Sequence, residues 1–233
     1  MRIRPFRAFR PAPGWTEQVA SPPYDVVTRE EAVRIAQGND ACFLRVSRAD
    51  LELPSSVSPT APEVYERAAA NWRRFRERGW MVQDEHPSLF LYEQSVPGHV
   101  QVGLVGLYHV ADYEAEIVRK HEHTRPEPEE DRARHISATQ IQSGPVFLAV
   151  RDRAGALARA AREAADHLQP WFEFTAPDGV RHRGWRLPDA SEWIRLVDAE
   201  PAAYIADGHH RAAAAARVAR ARAGGPVPSD ADA

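Results

Sequence analysis

The chain has 233 residues, a formal net charge of -3 and 43% hydrophobic residues, which supplies enough apolar side chain for one large core or two small ones. This charge argues against a protein whose binding is dominated by nucleic-acid phosphates. The one cysteine, Cys42, excludes an intramolecular disulfide and a cysteine-based zinc cluster, and no apolar stretch of about 18 residues predicts a membrane span. We therefore expect a folded cytoplasmic protein.

The first half of the chain predicts a mixture of strands and helices. Prolines punctuate the first fifty residues, which favours strands and turns over helix there. A capping box at Thr28-Glu31 starts one helix, and the apolar positions of Glu63–Arg78 predict an amphipathic second one. Strands over 89–94 and 100–110 are joined by the Pro97-Gly98 turn, which indicates a hairpin.

The second half continues the mixed pattern without a repeat. Proline near a first helical turn favours helix after Pro126, and Asp178-Gly179 is typical of a turn between paired strands. The predicted helices cover 126–142, 154–168 and 190–197, and the predicted strands cover 146–150, 171–174 and 181–187.

These elements predict an α+β fold in which helices flank a mixed sheet. We expect a mixed N-terminal region over 1–110, a catalytic and nucleotide-binding region over 111–223, and a disordered tail over 224–233, whose composition carries no structural signal. Because the chain stops soon after its most distinctive motif, we expect it to be a truncated piece of a longer protein.

That distinctive motif is Tyr204–Arg211, followed by the alanine run Ala212–Ala216. A short apolar segment, a glycine turn and a strong helix former together predict a strand that ends at the beginning of a helix. Helix N-termini bind anions, phosphate above all, because their N–H groups and macrodipole point outwards. The alternative is a plain turn in which Asp207 caps the helix and the two histidines decorate the surface.

A second cluster of ionisable side chains, Lys120–His135, allows three interpretations. One is a structural zinc site built from histidines and a carboxylate, although the helical His-Glu-x-x-His spacing is missing. Another is a solvated charge run. The zinc interpretation would use His121, His123 and His135 with Glu122 or Asp131.

The third interpretation is a catalytic loop. Glu122 is then a candidate general base. Lys120 and Arg125 would neutralise phosphate charge, and Asp131 or Glu130 would ligate magnesium. Phosphoryl transfer needs this kind of positioning and charge neutralisation.

Several common active sites are excluded because the sequence lacks the motifs that define them. The sequence has no Walker A loop and no G-x-G-x-x-G before a helix, and it has no G-x-S-x-G elbow. Cys42 lies in an apolar setting that favours a small core residue over a nucleophile. The segments Pro22–Asp25 and Arg45–Arg48 place polar groups on loops and are candidates for lining a substrate pocket.

Several separated motifs resemble a widespread bacterial family described as a domain of unknown function. The resemblance spans nearly the whole chain and is carried by motifs in a fixed order. They are Met1–Phe6, Pro22–Val26, Lys120–Pro126, Asp131–Ile136, Gly144–Phe147 and Ala206–Arg211.

More distantly, the Asp-Gly-x-His-Arg turn and the upstream His-Glu segment are similar to the ParB/sulfiredoxin-like superfamily, and within it to free L-serine kinases. That resemblance implies a strand-turn-helix phosphate motif, with Glu122 as the base for a serine hydroxyl. It departs from the small kinases in spacing, since 85 positions separate Glu122 from Asp207 here.

The resemblance implies a kinase for free serine or a related hydroxy compound, with Mg²⁺ and with ATP or ADP as phosphoryl donor. Alternatives are a nucleotide-binding regulator without turnover and a DNA-binding protein that uses arginines of the last helix. The implied catalytic residues are Glu122, His210 and Asp207, with Asp207 on the metal; those implied for nucleotide or phosphate are Gly208, His209, Arg211, Lys120, His121 and Arg125.

Overall fold

The computed structural model describes residues 1–224 and has the predicted α+β class. Across this range the helices are α1 Thr16–Val19, α2 Arg29–Ala36, α3 Leu44–Ser47, α4 Pro62–Glu77, α5 Val110–Glu114, α6 Pro126–Thr139, α7 Ala156–His167, α8 Ser191–Asp198 and α9 His209–Arg222. The strands are β1 Ile3–Arg4, β2 Phe9–Pro11, β3 Met81–Gln83, β4 Phe90–Val96, β5 His99–Val105, β6 Leu107–Tyr108, β7 Val118–Arg119, β8 Phe147–Val150, β9 Phe172–Thr175, β10 Arg181–Arg186 and β11 Ala203–Asp207.

The chain divides into two compact units, each assembled from three separate segments. The predicted division after residue 110 stays a prediction, and the predicted tail lies, apart from Gly224, outside the described residues. None of the helices described here is long and apolar enough to cross a bilayer. The first unit takes Met1–Arg10, Gln83–Arg119 and Leu148–Tyr204, and the second takes Pro11–Val82, Lys120–Phe147 and the chain from Ile205.

The first unit is built on an antiparallel sheet in the order β5, β4, β10, β9. The predicted hairpin is confirmed, since β4 and β5 pair on either side of Pro97-Gly98. Glu93 on β4 lies directly opposite Arg183 on β10. Its buried carboxylate accepts two hydrogen bonds from that guanidinium, at 2.9 and 2.6 Å, so the charge buried in this sheet is paired.

The second strand of the hairpin is shorter than predicted. It ends at Val105, and Gly106, where a Cβ would lie 2.6 Å from Leu89 Cδ2, separates it from β6, which pairs with β1. Instead of continuing the strand, Val110 starts α5, where the His109 ring accepts a hydrogen bond from the Ala111 N–H.

In the second unit, α2 and α4 form as predicted. Thr28 and Glu31 make both hydrogen bonds of the capping box, and α4 buries the apolar stripe that the sequence indicated. The Phe75 ring at the end of that stripe packs edge-on against Trp80, with ring centroids 5.1 Å apart.

The expectation of strands and turns in the first fifty residues is wrong in part. Short helices, α1 and α3, and a 3-10 turn at Ala49–Glu52 occupy this region. Packing decides their conformation, since Leu44 and Val46 of α3 are fully buried. Arg45 also donates to the Ala36 carbonyl at the end of α2, at 2.8 Å, so a side chain caps the helix before it.

Helices α6 and α9 pack together through small apolar side chains. Ala133 of α6 clusters with Ala214 and Val218 of α9, and Ile136 packs against them. Ala214 has no exposed surface. Small residues allow the two helices to approach closely, and this packing places the first turn of α9 beside the loop that precedes α6.

We expect Ala214→Leu to lower the free energy of unfolding by about 1–3 kcal/mol, because three added carbons overpack the contact between α6 and α9. Ala138 is exposed on α6, so Ala138→Leu should change it by less than about 0.5 kcal/mol. Urea unfolding of both variants measures the difference. An equal effect would contradict close packing at Ala214.

Candidate functional site

The distinctive motif forms the predicted strand, turn and helix. Strand β11 ends at Asp207, and α9 begins at His209. Gly208 between them has a φ of 94°, which a residue without a Cβ adopts without strain. The N-cap residue Gly208 provides no side-chain cap, and among residues 1–224 the N–H groups of the first turn of α9 are therefore available to an anion.

The structure brings the two predicted motifs together despite their separation in sequence. The Glu122 Oε2 atom lies 3.7 Å from the His209 Nδ1 atom. The His121 ring meets the His209 ring edge-on, with centroids 4.5 Å apart. Glu122 therefore stands within a ligand's length of the helix N-terminus, the geometry that a shared site requires.

His209 is the buried member of this group. Its pKa is lowered, first by burial and then by the neighbouring His121 and His210, while Glu122 and Asp207 oppose the shift. The ring is therefore neutral at neutral pH. Its Nε2 atom is buried and has no hydrogen-bond partner among the described residues, which is uncommon and typical of functional positions.

His210 and Arg125 connect the loop to the helix. The Arg125 backbone N–H donates to His210 Nε2 at 3.1 Å. His210 then carries its proton on Nδ1, so in this arrangement Nδ1 is its donor. Thr124 next to it donates to Glu129 in the first turn of α6, at 2.9 Å. The loop before α6 is thus hydrogen-bonded to both α9 and α6. Lys120 is exposed at the start of this loop.

Arg211 joins three segments of the second unit. It forms an ion pair with Asp207, donates to the Pro145 carbonyl oxygen, and places Nη2 3.9 Å from Asp25 Oδ2. A Cβ at Gly144 would lie 3.0 Å from Arg211 Cδ, so that glycine makes room for the arginine. In the sequence, Gly144-Pro145 is a motif without an assigned role, and nothing there pairs Asp25 with Arg211.

The zinc interpretation is not supported by the described part of the chain, where no three ligand-type side chains are clustered for a metal. His123 is exposed, whereas His135 is buried and its Nε2 atom lies 2.9 Å from the Val46 carbonyl oxygen. Burial and the nearby Arg132 lower the pKa of His135 to about 4. His135 is therefore a neutral structural donor.

The magnesium candidates on α6 are occupied by other partners. Asp131 accepts a hydrogen bond from the Tyr65 hydroxyl at 2.9 Å and a second one from Arg132. Glu130 pairs with Arg134 and with Arg217. Asp207, with 67% of its side chain exposed, is the more accessible carboxylate for a metal.

A cavity of about 230 Å³ lies in the second unit, with Asp25 and Asp131 among its lining residues. Both segments that the sequence indicated as pocket lining contribute to it, Tyr24-Asp25 from the first and Ser47-Arg48 from the second. Asp25 lines the cavity and also lies beside Arg211. The remaining lining comes from Ala49, Asp50, Pro59, Thr60, Val64, Tyr65, Ala68, Asp131, Arg132 and His135.

We expect Gly208→Ala to be more destabilising than Gly79→Ala, by about 1 kcal/mol. Both glycines have a positive φ, but a Cβ at Gly208 would lie 3.0 Å from Arg211 Nε, while one at Gly79 meets nothing within 4 Å. Arg211 is held by its three partners and cannot move aside freely. Urea unfolding of the two variants tests this, and equal losses would contradict the close contact.

The lowered pKa of His135 predicts a pH-dependent stability. Between about pH 6.5 and the folded pKa near 4, the unfolded chain binds a proton that the folded chain does not, so stability falls as the pH falls through this window. Relative to His135→Gln, the wild-type chain should lose about 2–3 kcal/mol of unfolding free energy between about pH 7.5 and pH 4.5. Parallel urea titrations measure it; identical slopes would show that His135 does not titrate in this way.

The comparison with known proteins agrees with the resemblance at the family level. A family model described as "Protein of unknown function (DUF1015)" matches residues 3–232. No curated protein and no solved structure matches the chain significantly. The geometry around Glu122 and Gly208 is therefore the main basis for a functional argument.

Proposed function

Because the chain belongs to the DUF1015 family of unknown function, we propose its activity from the site: transfer of a phosphoryl group from a nucleotide to the hydroxyl of a small molecule, with Mg²⁺. The observation that carries this proposal is the 3.7 Å approach of Glu122 to His209. A carboxylate and an anion-binding helix end then share one small space, as general-base phosphoryl transfer needs.

The nucleotide phosphates would bind at the first turn of α9. The N–H groups after Gly208 offer hydrogen bonds and the positive end of the helix dipole. Arg211 would contact a phosphate with its planar guanidinium. The unpartnered Nε2 of buried His209 is a further donor or acceptor beside them. Lys120, His121 and Arg125 stay the candidates that add charge from the loop.

Glu122 would act as the general base. Its side chain is 57% exposed, so a substrate hydroxyl can reach the carboxylate. As the acceptor oxygen bonds to phosphorus, the bond from phosphorus to the nucleotide's bridging oxygen breaks, and the hydroxyl proton passes to Glu122. The nucleotide leaves with one phosphate fewer, and His210 can donate from Nδ1 to the transferred group.

Magnesium fits the exposed carboxylate of Asp207. Mg²⁺ binds through one or two carboxylates, phosphate oxygens and several waters, and Asp207 is exposed at the turn with a second oxygen besides the one that pairs with Arg211. When bound, the ion would neutralise phosphate charge during transfer. The carboxylate also keeps Arg211 oriented toward the turn.

We also propose the more distant relationship, to the ParB/sulfiredoxin-like superfamily and its free serine kinases. A strand, a glycine turn and a helix arranged in this way are consistent with a ParB/sulfiredoxin-like phosphate motif, and a hydroxyl substrate such as free serine is consistent with Glu122 as base. A fold-level likeness is an analogy, so the substrate has to be established by turnover.

The arginines of α9 favour this proposal over DNA binding. Arg217 pairs with Glu129 and Glu130, and Arg222 donates to Gln140 at 2.6 Å. A recognition helix presents such side chains to DNA, whereas these are engaged with α6 and the residue that follows it. The remaining alternative is a nucleotide-binding regulator that uses the same helix end without turnover.

We expect Glu122→Gln to lower kcat for phosphorylation of serine by a factor of about 10²–10⁴, since it removes a general base. The amide keeps the size of the side chain, so nucleotide binding should persist. The control is Glu127→Gln, which changes an exposed carboxylate in the first turn of α6 and should leave turnover unchanged. Full chain, ATP or ADP, Mg²⁺ and serine are incubated, and phosphoserine is followed by ³¹P NMR.

The outcomes separate the alternatives. Undiminished turnover by Glu122→Gln contradicts the base assignment. Nucleotide binding by calorimetry with no product from serine or related hydroxy compounds indicates the regulator. Absence of binding to every nucleotide tested removes both functions.

A further inference from the structure

The cavity of about 230 Å³ in the second unit has a lining that combines charges of both signs with hydroxyl groups. The lining groups that keep an unused donor or acceptor indicate what the cavity can bind.

One ion pair of the lining is internally satisfied. Arg48 donates from Nε and Nη2 to the two oxygens of Asp50, at 3.1 and 3.2 Å. Its Nη1 donates to the backbone carbonyls of Tyr24 and Val27, at 3.0 and 2.7 Å. This pair therefore fixes the walls of the cavity and offers little to a ligand.

Two more polar groups of the lining are also occupied. Asp131 accepts from the Tyr65 hydroxyl and from Arg132, and His135 is hydrogen-bonded to the Val46 carbonyl oxygen. His135 carries no charge at neutral pH because its pKa is about 4. The two groups therefore add neither an available anion nor a cation.

The Asp25 carboxylate and one nitrogen, Nη1, of the Asp131-paired Arg132 guanidinium remain. The nearest cation to the Asp25 carboxylate is Arg211, at 3.9 Å, which is beyond hydrogen-bond distance. Arg132 spends Nε and Nη2 on Asp131, and its Nη1 has no acceptor within residues 1–224. Its side chain is only 10% exposed, and its guanidinium carbon lies 3.9 Å from the centre of the Tyr24 ring.

The Tyr24 hydroxyl completes this set. Burial raises its pKa, so the phenol stays protonated and is a neutral donor as well as an acceptor. Tyr24, Asp25 and Arg132 are all lining residues of the cavity. A carboxylate, a guanidinium and a hydroxyl on one small cavity are complementary to a ligand with an ammonium and a carboxylate.

The cavity is small. Pockets for drug-sized ligands hold about 300–1,000 Å³, whereas this cavity holds about 230 Å³. Its volume suits a molecule of amino-acid size, and the proposed nucleotide position is the turn before α9.

We propose that the cavity binds a small zwitterion, a molecule carrying both an ammonium and a carboxylate, with Asp25 pairing the ammonium and Arg132 the carboxylate. As acceptor of phosphoryl transfer, a role that rests on the proposed function, this molecule would lie beside Arg211, because Asp25 lines the cavity and approaches that arginine. The side chain of the zwitterion would then supply the hydroxyl.

Calorimetry on the full chain without nucleotide tests the pocket. The ligands are glycine, alanine, serine and threonine as zwitterions, together with ethanolamine and glycerate. Ethanolamine keeps the hydroxyl and ammonium of serine, and glycerate keeps its hydroxyl and carboxylate. At least one zwitterion should bind saturably, and each compound lacking one charge should bind about tenfold more weakly or worse than serine.

Asp25→Asn should weaken binding of the zwitterion about tenfold or more and leave glycerate unaffected, because the amide loses the charge that pairs with the ammonium. The matched control is Asp40→Asn, since Asp40 is likewise exposed and lies 3.7 Å from an arginine, but does not line the cavity. Tyr24→Phe retains the ring over Arg132 and should show a smaller loss. Circular dichroism verifies that each variant is folded.

The pocket is overturned if no zwitterion binds, if glycerate or ethanolamine binds as tightly as serine, or if Asp25→Asn binds like the wild type. The experiments distinguish a failure of the zwitterion-binding proposal from a failure of the proposed kinase function. Zwitterion binding that depends on Asp25, with no turnover on any nucleotide, retains the pocket and removes the kinase. Turnover with an unchanged KM for the acceptor in Asp25→Asn retains the kinase and removes the pocket.

Discussion

The candidate site depends on how the charge of Arg211 is neutralised. The guanidinium belongs to the first turn of α9 and its side chain is only 11% exposed, so it needs anions and acceptors from the protein. Asp207 supplies one from the preceding strand, Pro145 supplies a carbonyl, and Asp25 approaches from the N-terminal part of the second unit. A planar group with five donors in a fixed fork can serve all three at once, whereas a lysine ammonium is a compact point charge on a flexible stem. The position of each segment is therefore tied to this one side chain.

Local features of the fold could be predicted from sequence because their causes are local. The capping box of α2 needs only Thr28 and Glu31, and the apolar stripe of α4 repeats at helical spacing. The turn at Gly208 and the start of α9 likewise follow from adjacent residues. In contrast, α3 is a single helical turn whose conformation follows from the burial of Leu44 and Val46, and its four residues contain no periodic signal that could reveal it.

The site itself could be predicted in part. Chemistry-bearing residues were recognised at both motifs, but nothing in sequence spacing places Glu122 against His209 or Asp25 beside Arg211, 186 positions later. The dense charge cluster shows a similar limit. Its loop half approaches α9, whereas Asp131 and His135, four residues apart on α6, face the cavity together, as helical geometry allows. In the sequence, the loop half and the α6 half of Lys120–His135 form one continuous charged cluster, so their separate positions could not be predicted.

The interleaved segments of the two units have a consequence for folding. The groups around Arg211 come from three separate stretches of the second unit, and stretches of the first unit lie between them in sequence. Long-range contacts of this kind form late, since the entropy of closing long loops is lost before the contacts form. During synthesis, the early segments with Asp25 and Glu122 must wait for α9 to emerge. The candidate site is therefore assembled only after α9 has been synthesised.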